Sequence, residues 1–152
     1  MLYTVNGYRT IYTVVNNERI VGGAVEVDEL RLRGGERFRN VVITSIEAGE
    51  NGTYMVGFVT EDGRRYIAHT SDISLMVQPT HKRVKDLRNP VAREELLKQR
   101  LTYLRRVLEV NEGNDSFLFR QEVKNLVNDI GLENVRLAVR DMEALQTTLR
   151  IA

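Results

Sequence analysis

Residues 36–77 read ERFRNVVITSIEAGENGTYMVGFVTEDGRRYIAHTSDISLMV, and their apolar stretches are divided by short turn signals. The stretch 41–46 runs into Gly49-Glu50-Asn51-Gly52, 53–60 into Glu61-Asp62-Gly63, and 64–70 into Ser71-Asp72-Ile73-Ser74-Leu75. Strands of about seven residues joined by tight glycine turns build a small, strongly bent antiparallel sheet. In the middle stretch Tyr54, Val56 and Phe58 alternate with Met55 and Val59, so both faces of that strand are expected to be covered. Gly57, between Val56 and Phe58, marks an expected bend.

Upstream, the alternation continues. Asn6-Gly7 tolerates the positive φ angles of a type I′ turn and predicts a hairpin between 2–5 and 8–15. Asn16-Asn17 and Gly22-Gly23 break the next segments. Val25 and Val27, then Leu30 and Leu32, carry the apolar alternation through 24–33, and its phase slips at Asp28-Glu29, where a bulge or turn is expected.

Downstream, 77–89 is polar and basic and reads as a linker. Asn89 followed by Pro90 is a helix start, the Asn side chain capping and Pro occupying the first helical position. Leu97, Leu101, Leu104 and Leu108 recur at spacings of 4, 3 and 4, as do Phe119, Val123, Leu126 and Ile130, which ends at Gly131. Asp115 or Ser116 caps the second helix. A third begins near Glu133, with Val135, Ala138, Met142, Leu145 and Leu149 on one stripe. Such heptad-like stripes predict either a compact bundle or a homo-oligomer seam.

The residues Val42 and Ile46, Tyr54-x-Val56-x-Phe58, Asp62-Gly63, Tyr66 and Ser71-Asp72-Ile73 together resemble the Tudor and KOW group of SH3-like small barrels. The resemblance covers about a quarter of the chain and implies a barrel that binds peptides, nucleic acid or a polymerase. Bacterial transcription regulators of the CarD type are similar in architecture, joining a Tudor-like domain to a helical one. The expected fold class is therefore α+β, an N-terminal antiparallel β-sheet or SH3-like small barrel followed by a C-terminal bundle of three helices. The expected domains are 1–78, with the barrel at about 36–77, a basic linker at 79–89, and a helical domain at 90–152.

Composition narrows the chemistry. The chain has 152 residues, 42% of them apolar, and no cysteine, which excludes disulfides, thiolate nucleophiles and Cys-ligated zinc. No signal-like or membrane-spanning run is seen, so a cytoplasmic location and no membrane partner are expected. The two histidines, His69 and His81, lie at no metal-ligand spacing, and Ser45, Ser71, Ser74 and Ser116 form no nucleophile elbow. The carboxylate neighbours Asp28-Glu29 and Glu61-Asp62 read as turn charges rather than an acid–base pair. Gly22-Gly23 and Gly34-Gly35 extend to no phosphate-loop pattern. Tyr54, Phe58 and Tyr66 read as core aromatics. No catalytic residue, metal or cofactor is expected, and the chain is not expected to be an enzyme.

The net charge of +1 hides an asymmetry, because 82–106 holds nine basic residues against three acidic ones. Lys82, Arg83, Lys85, Arg88, Arg93, Lys98, Arg105 and Arg106 form the candidate nucleic-acid surface, acting by phosphate neutralisation. Solvated helix charges are the ordinary alternative. Arg31, Arg33, Arg37 and Arg39, at alternate positions about Gly34-Gly35, form a second candidate for a phosphate or small nucleotide, with Glu29 and Glu36 as competing salt-bridge partners. The expected function is a regulatory binding protein contacting nucleic acid, in the manner of a transcription or polymerase-associated factor. The alternatives are an oligomeric protein-interaction or inhibitor protein, or a nucleotide sponge.

Overall fold

The computed structural model describes residues 22–138, which form an antiparallel sheet followed by three helices. The expected hairpin at Asn6-Gly7, the break at Asn16-Asn17 and the stripe positions Met142, Leu145 and Leu149 lie outside the described residues. The chain divides into two compact units, with the boundary after His81 and with Gly22 and Gly23 assigned to the second unit.

The sheet unit contains β1 (Ala24–Leu32), β2 (Arg37–Ala48), β3 (Tyr54–Val59), β4 (Arg65–His69) and β5 (Ile73–Val77); β6 (Thr80–Lys82) follows. The sheet is six-stranded and open, in the order β4-β3-β2-β1-β5, with β6 also pairing β1. A single 3-10 turn, Thr70–Asp72, leads from β4 into β5. The segment 36–77 thus leaves out β1, an interior strand of the sheet. β1 lies between β2 and β5, so among the described residues the sheet begins at Ala24.

The phase slip at Asp28-Glu29 takes a form the alternation does not show. Val27 pairs with Val41 and Glu29 with Arg39, so the register carries through without an inserted residue. Asn40, which falls opposite Asp28, adopts φ 46, a left-handed conformation that bends β2 there. Asn40 Nδ2 donates to the Glu61 carboxylate. Beyond the bend the inward residues change from Val25, Val27, Val41 and Ile43 to Leu30 and Phe38. A true register shift occurs between β2 and β3 at Ile43/Ser45, opposite Gly57, where a Cβ would clash with Ser45 Oγ.

Val25, Val27, Leu30, Val41, Ile43, Val56 and Phe58 are buried together, with Phe38, Tyr66, Ile73 and Met76 packed against them. On the opposite face the cross-strand neighbours Glu26, Val42 and Val59 are also buried, so this part of the sheet is covered on both sides, as the alternation in 53–60 predicts.

The helical unit contains α1 (Pro90–Val110), α2 (Phe117–Ile130) and α3 (Leu132–Ala138). Asn89 caps α1, its Oδ1 accepting the Ala92 N–H at 3.1 Å, and Ser116 caps α2, accepting from Phe119 at 3.3 Å. Gly131 ends α2 with φ 88 and ψ 136, a conformation that favours glycine. Both leucine-type stripes turn inward: Leu104, Val107, Phe119, Val123, Val127, Ile130 and Val135 form one core, with Leu97, Leu101, Leu108 and Leu126 against it. Each fully buried aliphatic side chain of this kind contributes about 1.5–3 kcal/mol. The stripes of α1 and α2 therefore pack within the unit itself.

The segment expected as a linker, 79–89, is built into the structure. It holds β6 and a 3-10 turn, Val84–Asp86, and Val84, Leu87 and Asn89 are buried. Its polar composition concealed two apolar anchors spaced to face inward. Among the described residues no helix is long and apolar enough to cross a membrane.

Candidate binding surfaces

The cations of 82–106 do not form one surface. Val84 and Leu87 face the core, which turns Arg83, Lys85 and Arg88 outward around the one-turn helix. Arg93 folds back onto the same turn, its Nη1 donating to the Leu87 carbonyl at 2.9 Å. Lys82 is half-buried in β6 at the start of this run. Lys98 lies further along α1, 3.5 Å from Glu94. Arg105 is twelve residues beyond Arg93, about 18 Å along the helix axis at 1.5 Å per residue. Arg105 and Arg106, being consecutive, project about 100° apart and serve different flanks. The structure therefore gathers Arg83, Lys85, Arg88 and Arg93 and separates Arg105 and Arg106 from them.

The residue that fixes this turn was not legible in the sequence. Asp129, buried near the end of α2, accepts the Val84 N–H through Oδ1 at 2.9 Å and the Gly23 N–H through Oδ2 at 3.2 Å. Arg100 Nε lies 3.7 Å from Oδ2 and balances the charge. Two backbone donors and a guanidinium compensate the burial of the carboxylate. Nothing near Asp129 in sequence marks it, because its backbone partners lie 45 and 106 residues away.

The second arginine cluster is a sheet face. Arg39 pairs with Glu29, and Glu29 with Val77; one step along, Arg37 pairs with Arg31, and Arg31 with Leu75. Directly paired residues share a face, so these form two rows of three across β2, β1 and β5. Arg31 donates to Glu29 from Nε at 3.1 Å and from Nη2 at 3.2 Å, and Arg37 Nε lies 3.9 Å from Glu29 Oε1. The Arg31 hydrogen bond, with the charges of Arg31, Arg37 and Arg39, holds the Glu29 carboxyl below its ordinary value. Arg33 stands apart in the turn after β1, its N–H donating to the Asp72 carbonyl at 2.7 Å. Of the two competing acids, Glu29 is the one that engages the cluster.

Phe38, Phe58 and Tyr66 pack on one another, with ring centroids 5.6, 5.0 and 5.5 Å apart. Phe38 joins this cluster, whereas Tyr54, expected with Phe58 and Tyr66 as a core aromatic, is half-buried and is not among the residues packed in this core. His69 is exposed on β4 and His81 is half-buried in β6. Among the described residues no group of three or more His, Asp or Glu side chains is placed to hold a metal ion. Comparison with protein-family models, curated proteins and solved structures found no match to this chain.

Proposed function

We propose that this protein is a non-catalytic regulatory binding protein that contacts nucleic-acid phosphates through Arg83, Lys85, Arg88 and Arg93 of its helical unit. The observation that carries this reading is the alternation at 83–88, where buried Val84 and Leu87 hold the backbone while Arg83, Lys85 and Arg88 around them are exposed. Four cations surround Asp86 on a turn whose backbone is fixed by Asp129, so little backbone entropy remains to be lost when they meet phosphates. The strand order β4-β3-β2-β1-β5, with the 3-10 turn before β5, supports an SH3-like, Tudor-type reading of the sheet unit. That reading fits a binding module.

The test is retention of a fluorescent 20-base-pair duplex as salt is raised. The logarithm of affinity should fall linearly with the logarithm of salt concentration. Arg83→Glu with Lys85→Glu should lower the slope by about 2, at about 0.9 for each phosphate that is no longer neutralised. Absence of retention at low salt, or an unchanged slope in the double variant, refutes the proposal.

A further inference from the structure

We infer that the solvent face formed by Arg37 and Arg39 of β2, Glu29 and Arg31 of β1, and Leu75 and Val77 of β5 is a docking surface for an acidic, aliphatic segment of another protein. The register places these side chains in two adjacent rows, Arg39–Glu29–Val77 and Arg37–Arg31–Leu75, on strands about 4.8 Å apart. One side of the grid is cationic and the other aliphatic.

Three observations favour this occupant. The first is charge: three guanidinium groups face one carboxylate, leaving an excess of two positive charges, and Arg37 remains 64% exposed. The second is apolar exposure, since Leu75 is 43% and Val77 36% exposed beside those arginines. Arginine next to aliphatic surface is characteristic of protein interfaces, where guanidinium groups bind carboxylates in bidentate fashion. Glu29 already shows that geometry on Arg31. The third is the position of the aromatics: Phe38, Phe58 and Tyr66 pack into the core on the other face, so the grid offers no ring on which a nucleic-acid base stacks. An extended chain placing carboxylates over Arg37 and Arg39 and aliphatic side chains over Leu75 and Val77 matches both halves.

The experiment is an array of immobilised decapeptides built from Glu, Asp, Leu, Val and Ser, varying charge and aliphatic content independently, with a decathymidylate spot, probed with the labelled full-length chain. Signal should rise with both variables. Arg37→Glu with Arg39→Glu, and separately Leu75→Ser with Val77→Ser, should each lower it tenfold or more, with circular dichroism unchanged. Signal that follows charge alone, no signal on any peptide, or stronger binding to decathymidylate that the arginine pair abolishes overturns the proposal. So does a wild-type dimer that the Leu75/Val77 variant converts to monomer in sedimentation, since a second copy would then own the face.

Discussion

At the scale of single residues, two carboxylates show opposite uses of charge. Asp129 is buried and satisfied by two backbone donors, so Asp129→Ala should leave the Val84 and Gly23 N–H groups without their acceptor and cost about 2–4 kcal/mol in urea unfolding. Asp129→Asn retains one acceptor oxygen and should cost less; equal losses would mean that the retained acceptor contributes nothing and that the charge facing Arg100 carries the effect. Glu29 is a surface carboxylate held below its ordinary value of 4.5, first by the Arg31 hydrogen bond and then by the neighbouring arginine charges. Because the folded value is the lower one, its stabilisation is complete above 4.5 and is lost as pH falls through the folded value. A carboxyl NMR titration should place the Glu29 midpoint below 4.5 and move it upward in Arg31→Gln, and an unmoved midpoint would remove Arg31 as the cause.

At the scale of elements, boundaries with a local chemical cause were readable and those with a distant cause were not. Asn89-Pro90 and Ser116 start helices because a short polar side chain captures free N–H groups within the same turn, which three or four letters of sequence suffice to show. Asn89→Ala should accordingly cost about 1–2 kcal/mol. The bend in β2 is different. The slip in apolar phase was visible at Asp28-Glu29, but the residue that carries it is Asn40 on the partner strand, and only pairing identifies it. At φ 46 a β-branched side chain is strained, so Asn40→Val should lose about 2 kcal/mol while Asn40→Gly stays near wild type. If both variants unfold at the same denaturant concentration, the left-handed conformation is not what shapes the bend.

At the scale of the whole molecule, the two arginine-rich regions fall in different units and should act independently. Charge reversal at Arg83 and Lys85 should reduce duplex retention, while reversal at Arg37 and Arg39 should leave it within about twofold, because the proposed phosphate contacts belong to the helical unit alone. Filter binding of the two double variants checks this, and equal losses would indicate a single shared surface. The α+β order, the helix caps, the inward stripes and the basic character of 82–106 were all determined by the sequence itself, since each rests on periodicity or on neighbours a few residues apart. Tertiary structure decided the rest: β1 as an interior strand between β2 and β5, the apparent linker as an anchored turn, the division of the basic run, and the grid that sets Leu75 and Val77 beside Arg31. Those outcomes depend on which distant segments pair, and the free energy that selects the pairing comes from burying a shared core, which no short window of sequence contains.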